Sequence, residues 1–365
     1  MSGGADLLLG TLAWHEHRTP DAAAWAGTPP SGLERLVAYE GCAIWLARRL
    51  AELGIHPPEP FRARLEKRAK DDLARNLMVD GAAGRVLDVL AALDVPHVFL
   101  KGMAWRLRTG IPYAGARPLR DVDVLVPETR ARQVWDVLVA EGYTPVLPAG
   151  HGFVIEHHLP ALFAPGGASV ELHTSASHGG RAADSWNRVW PGARPAELEG
   201  RGTRVPAMTE MAWHALEHAV YDGTAGFRLR RWLDFAVALR SGEPIRWEEM
   251  TARLGAGEIP DATAARAWLG AAARLAGRTV PGEALGSVPP FDLRRTLRWR
   301  LAVLSRRPPG SRVAIPLLEE GTRSALGWPV SPSAAGTSRY VRARHRLAAV
   351  AARAWYHCWR ASSAR

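Results

Sequence analysis

The sequence predicts an α+β protein in which a small mixed β-sheet core is flanked by N-terminal and C-terminal helical regions. Three observations carry this. Apolar residues recur at helical spacing on both sides of residues 85–204. Short apolar runs with two-residue alternation fall inside that middle stretch, interleaved with helical patterns, which suits a mixed sheet rather than a long parallel one. The chain has 365 residues, 47% of them hydrophobic and 23% charged, a globular composition with room for more than one core. The expected segments are an N-terminal helical region (1–84), an α/β core (85–204), a helical domain (205–304), and a Pro/Gly-rich linker with a basic C-terminal helix (305–365).

In order along the chain, "SGLERLVAYEGCAIWLARRLAELG" reads as helical up to Gly54, a C-terminal stop. "PFRARLEKRAKDDLARNLMVDGAAGRVLDVLAALDV" supplies one or two more helices. "PHVFLKG" (96–102) is a strand ending in a turn, and "MAWRLRTG" a short helix closed by Gly110. "IPYAGARP" is a loop and "DVDVLVP" the second strand. "ETRARQVWDVLVAEG" is a helix with Glu128 at its positive end and Gly142 after its last turn. "GYTPVL" is a third strand, and "HGFVIEHHLPALFAP" with "ASVELHTS" forms a hairpin about Gly166-Gly167. Five helical stretches follow from residue 206.

The chemistry concentrates in "RPLRDVDVLV" (117–126). In a strand, Val122, Val124 and Val126 line one face, while Asp121, Asp123 and Leu125 line the other. Two acids about 6–7 Å apart on one face repel unless a positive group sits between them, and a divalent metal is the usual remedy. Glu171 lies on a later strand, in phase with Ser169 and His173. If the two strands are neighbours, three carboxylates converge and can hold one or two Mg²⁺ (or Mn²⁺) ions. Lys101 and Gly102, at a helix start, and Arg117, ahead of the acid pair, are candidate phosphate ligands.

"FLKGMAWR", "YAGARPLRDVDVLV", "AEGY", "HHLPALF" and "VELH", taken in that order, resemble the nucleotidyltransferase fold of the DNA polymerase β superfamily. They are most similar to its group of largely uncharacterised bacterial nucleotidyltransferases. The resemblance spans roughly residues 35–240. It implies a polymerase β-like core and Mg²⁺-dependent transfer of a nucleoside monophosphate from an NTP, such as ATP, to an acceptor. It further implies that Asp121 and Asp123 bind metal, that Glu171 is the third carboxylate and receives the acceptor's proton, and that Gly102 takes the place of the phosphate-loop glycine. Lys101-Gly102 stands where the superfamily usually has Gly-Ser. The acceptor stays open among a small molecule, a peptide or protein, and RNA.

Other features have plainer readings. His214 and His218 are spaced i, i+4 around Glu217, half of a zinc pattern without an evident third ligand, and are expected to pack. One of His157 and His158 should point to the side of the acids. Asp234 is expected to pair with Arg228, Arg230 or Arg231. The net charge of +11 favours phosphate-bearing partners, although surface Arg alone accounts for such a value. From residue 331 on there are seven Arg and no Asp or Glu, a segment suited to RNA, an anionic membrane surface or solvent. Two distant cysteines, no basic leader and no long apolar span place the expectation in the cytoplasm. The competing reading is a non-catalytic nucleotide- or RNA-binding regulator on a degenerate transferase core.

Overall fold

The computed structural model describes residues 3–13, 22–27, 32–108, 117–146, 157–177, 182–221 and 228–306. The N-terminal helices are α1 (Gly3–Leu12), α2 (Ala22–Ala26), α3 (Leu33–Glu40), α4 (Ala43–Glu52) and the 34-residue α5 (Glu59–Ala92). The core follows as β1 (Val98–Phe99), α6 (Lys101–Leu107), β2 (Asp121–Leu125), α7 (Glu128–Ala140), β3 (Thr144–Pro145), β4 (Leu162–Phe163), β5 (Ser169–His173), α8 (Ala182–Val189), β6 (Arg194–Leu198) and β7 (Arg201–Val205). The chain then turns helical as α9 (Met208–Tyr221), α10 (Leu229–Arg240), α11 (Trp247–Gly255), α12 (Ala262–Ala276), α13 (Gly282–Leu285) and α14 (Leu293–Arg306). No helix among the described residues is long and apolar enough to cross a membrane.

The five-stranded sheet has the order β1-β2-β5-β4-β3. Only β2 and β5 are parallel; the other three pairings are antiparallel. The alternation expected for β2 and β5 is present. Val122, Val124, Val170 and Leu172 join the main core with Val86 and Leu90 of α5 and Val134 and Leu138 of α7. The opposite face is also covered at one end, where Leu125 packs with Val98, Leu100, Val189 and Ala193. Burial on both faces at that end and open chemistry at the other is what lets one strand carry both a core and a polar row. Asn76 of α5 ties down the approach to β2: its side chain donates to the Arg117 carbonyl at 2.9 Å and accepts from the Leu119 N–H at 2.7 Å.

Three differences from expectation have local causes. The helical run up to Gly54 is two helices, because Gly41 adopts φ +67° and its N–H closes α3 on the Val37 carbonyl. The first strand is only two residues, and α6 starts at Lys101 rather than Gly102. Nothing was expected between 175 and 205, yet α8 and the β6–β7 hairpin lie there. That hairpin turns on Glu199 and Gly200, both at positive φ (50° and 79°), as a two-residue mirror-image turn requires. A glutamate is an uncommon residue for the first of those positions. Gly110 and the basic segment from 331 lie outside the described residues.

Candidate active site

The site is built on the parallel pair. β2 and β5 run in register, so Asp121 stands beside Ser169, Asp123 beside Glu171 and Leu125 beside His173. The two carboxylates expected to converge are therefore neighbours across one strand gap. Lys101 reaches into the row from the first residue of α6, at φ +45°, a left-handed conformation costly for a side chain with a Cβ. Its Nζ lies 2.6 Å from Asp123 Oδ1, 3.4 Å from Glu171 Oε2 and 3.4 Å from His173 Nε2. The sequence points Lys101 at phosphate; in the structure its ammonium lies on the acids.

His173 joins the row and is absent from the sequence-derived set. Its Nε2 is 2.9 Å from Asp123 Oδ1 and 3.4 Å from Glu171 Oε2. The signal was available: His173 is two residues past Glu171, on the same strand face. The rings of His157 and His158 pack on it at 5.7 and 5.2 Å. His158 Nε2 is 4.0 Å from Glu171 Oε2, so it lies on the side of the acids.

Charge coupling separates the acids. Burial and the neighbouring Asp123 charge push Asp121 up to about 6, against the pull of Lys101. Burial would raise Asp123 too, but the Lys101 ammonium and the His173 hydrogen bond more than offset it and hold the carboxyl low. Glu171 is likewise held well below the carboxylate range, against burial, by His173 and Lys101. Burial opposes protonation of Lys101, yet Asp123, Glu171 and Asp121 keep its pKa raised. His173 is raised by its two carboxylates despite burial and Lys101, whereas burial lowers His158, which is neutral at pH 7.

The donor set fits a divalent cation. One ligand atom each from Asp123, Glu171 and His173 lies within 4.8 Å of the others, the one such three-residue group among the described residues. Asp123 Oδ2 is buried without a hydrogen-bond partner, an acceptor left over once Lys101 and His173 have taken Oδ1. Asp121 extends the same row. A carboxylate-rich set suits Mg²⁺ or Mn²⁺.

The remaining candidates are placed as follows. Arg117 is buried, with Nε 3.0 Å from both Asp234 carboxylate oxygens. Asp234, expected to pair with an arginine of its own helix start, is held by Arg117. Gly102 is buried under that guanidinium: a Cβ there would meet Arg117 Nη1 at 2.6 Å and Leu119 Cδ2 at 2.9 Å. A narrow cleft beside the row is lined by Lys101, Trp105, Arg117, His214, His218 and Arg231. The two imidazoles of α9 are buried with centroids 4.5 Å apart, and neither belongs to a three-ligand group among the described residues.

The candidate site is thus a parallel strand pair carrying a D-x-D acid row and a third carboxylate, in a mixed sheet between helices. The family described as uncharacterised nucleotidyltransferase matches residues 29–274, and the chain belongs to that family. The fold is α+β, a mixed five-stranded sheet between helical regions. Among solved structures, the chain is similar to the antibiotic-resistance factor ANT(2'')-Ia in solution, with 14% identity, a TM-score of 0.34, and 50% of this chain and 86% of that one covered. It is also similar to an antigenic nucleotidyltransferase-like protein from Paracoccidioides brasiliensis, with 16% identity, a TM-score of 0.33, and 59% and 97% covered. No curated protein matches the chain.

Proposed function

We propose that the protein transfers a nucleoside monophosphate from an NTP to an acceptor, releasing pyrophosphate, at a centre formed by Asp121, Asp123 and Glu171. The observation that carries this reading is the register pairing of Asp123 with Glu171 on parallel strands, in a chain of a nucleotidyltransferase family. Asp121 and Asp123, through its unpartnered Oδ2, would hold Mg²⁺ or Mn²⁺. Such an ion neutralises the triphosphate and steadies the leaving pyrophosphate.

The chain's own groups do the rest. Lys101 and His173 keep Asp123 and Glu171 ionised, so both remain acceptors of hydrogen bonds and metal. Glu171 orients the acceptor's hydroxyl or amine and meets its proton. The neutral imidazole of His158, 4.0 Å from Glu171, is the next group able to take that proton away. The buried valine face fixes both strands, so the row is held by rigid elements.

One observation favours the second reading, a nucleotide- or RNA-binding regulator on a degenerate core: an internal cation, Lys101, already sits between Asp123 and Glu171. The test is to incubate each α-labelled NTP with Mg²⁺ and the protein, then add cell extract, beside Asp121→Ala. Label transfer by the intact chain alone supports the transferase and names its nucleotide. Silence with every NTP, together with NTP binding that survives Asp121→Ala, supports the regulator.

A further inference from the structure

Almost every arginine that enters this protein's interior has a carboxylate waiting for it. Arg300 meets Glu40 at 2.7 Å, with both side chains fully buried. Arg253 meets Glu210 and Glu258 at 3.1 and 2.9 Å, and Arg117 meets Asp234 at 3.0 Å. Arg106 is paired with Asp80 and Arg108 with Glu243. This is what physics demands, since a desolvated guanidinium without a counter-charge costs several kcal/mol.

The first turn of α10 breaks the pattern. Arg230 runs its aliphatic stem over Gly41, where a Cβ would lie 3.0 Å from Arg230 Cδ. Its Nε is buried without a hydrogen-bond partner, and it has no ion pair among the described residues. Burial, then the charges of Arg231, Arg117, Arg120 and Arg228, push its pKa down. Arg228 lies with its guanidinium 4.7 Å above the Tyr39 ring, again with Nε buried and unpartnered. Exposed Arg120, the residue just before Asp121, feels Arg228 and Arg75 as like charges.

The carboxylates nearby are taken. Glu40 accepts from Arg300 and from the Leu229 N–H at the start of α10, which is what holds this turn in place. Asp234 is paired with Arg117, and Asp72 with Arg75 and Arg68. Asp121, the residue after Arg120, belongs to the acid row. Arg120, which precedes Asp121 in the chain, and Arg228 and Arg230, at the positive end of α10, thus lie within electrostatic reach of one another, and none of the three has an ion pair among the described residues.

We propose that Arg120, Arg228 and Arg230 form a binding site for a phosphate-bearing group next to the acid row. Guanidinium forks match phosphate oxygens two at a time, and each phosphate relieves the mutual repulsion that the apo cluster carries. With Lys101 held by Asp123 and Glu171, these arginines are the cations available for that work. The phosphate belongs either to the tail of the NTP or to the acceptor. The site goes beyond the proposed transfer and does not depend on turnover.

The test is titration calorimetry with pyrophosphate in EDTA, so that no metal bridges the anion to the acids. The full chain is compared with Arg230→Gln, Arg228→Gln/Arg230→Gln, Arg230→Lys and, as a control for net charge, Arg132→Gln on the exposed face of α7. Circular dichroism establishes that each variant is folded. The expected result is salt-sensitive binding weakened at least 10-fold in Arg230→Gln, abolished in the double variant, partly kept in Arg230→Lys and unchanged in Arg132→Gln. Equal affinity in the full chain and Arg230→Gln, or an equal loss in Arg132→Gln, overturns the site. If Arg230→Gln misfolds, Arg230→Lys and a single Arg228→Gln variant decide it: weakened binding in both supports the site, and binding as tight as the full chain's in both overturns it. A non-hydrolysable NTP analogue with Mg²⁺ then separates the sources: displacement of pyrophosphate assigns the site to the NTP tail, and simultaneous binding assigns it to the acceptor. An analogue that fails to bind at all counts against the transferase reading and leaves the pyrophosphate result standing.

Discussion

The Lys101 ammonium sits 2.6 Å from Asp123 Oδ1, held there by a lysine whose backbone adopts φ +45°. A strained residue placing a cation between two buried carboxylates ties the stability of the core to the electrostatics of the site.

Removing that cation exposes the tie. Asp123 has no exposed side-chain surface and Lys101 only 14%, so Lys101→Met leaves buried charge uncompensated. The variant should be less stable by about 3 kcal/mol in EDTA. Part of the loss should return with Mn²⁺, which would take over the neutralisation. Urea unfolding with and without Mn²⁺ measures both; an unchanged midpoint in EDTA refutes the tie.

Asp121 supplies a pH dependence. Its pKa rises from 3.8 to about 6 on folding, so the folded state holds the proton more tightly than the unfolded chain. Such a carboxyl takes stability away as it ionises: the penalty is absent below about pH 4 and complete above about pH 6. Asp121→Asn should therefore be more stable than the natural chain by about 3 kcal/mol at pH 7. The difference should vanish near pH 4. Denaturation at the two pH values, in EDTA, gives the sign; a variant less stable at pH 7 contradicts it.

Gly102 is needed for packing. The Arg117 guanidinium that a Cβ would strike at 2.6 Å is pinned by Asp234 and cannot swing away. Gly102→Ala should cost about 1–3 kcal/mol through overpacking. A urea midpoint equal to that of the natural chain would show that the site yields.

The Glu40–Arg300 pair holds α3, α14 and the start of α10 together. Glu40→Leu alone strands a buried guanidinium and should cost about 3–5 kcal/mol. The double variant Glu40→Leu/Arg300→Met removes both charges and should cost less than the single one. Thermal unfolding of both ranks them, and a double variant at least as damaged as Glu40→Leu would deny the coupling.

Much of this was legible in the chain itself, and the limits are physical. Two-residue alternation in "DVDVLV" and "SVELH" marks which side chains share a face, because the strand period is independent of context. It does not say that the strands are parallel neighbours, since that register is set by distant packing on α5 and α7. The direction of Lys101 was hidden for the same reason: a lysine at a helix start suits phosphate or carboxylate, and only the left-handed backbone turns it inward. The β6–β7 hairpin escaped notice because Glu199 occupies a position where Asn, Asp or Gly is the usual signal. The arginines of "FRLRRWLDF" were visible as charge, but which of them lacks a carboxylate depends on where Asp234 and Glu40 lie in three dimensions.

The most direct measurement of the central claim is Mg²⁺-dependent pyrophosphate release from each NTP by the natural chain and by Asp123→Asn, with Mn²⁺ binding followed by electron paramagnetic resonance on the same samples. The account predicts release with at least one NTP, and loss of both release and Mn²⁺ binding in the variant. Release that survives Asp123→Asn, or Mn²⁺ bound equally by both chains, would contradict it.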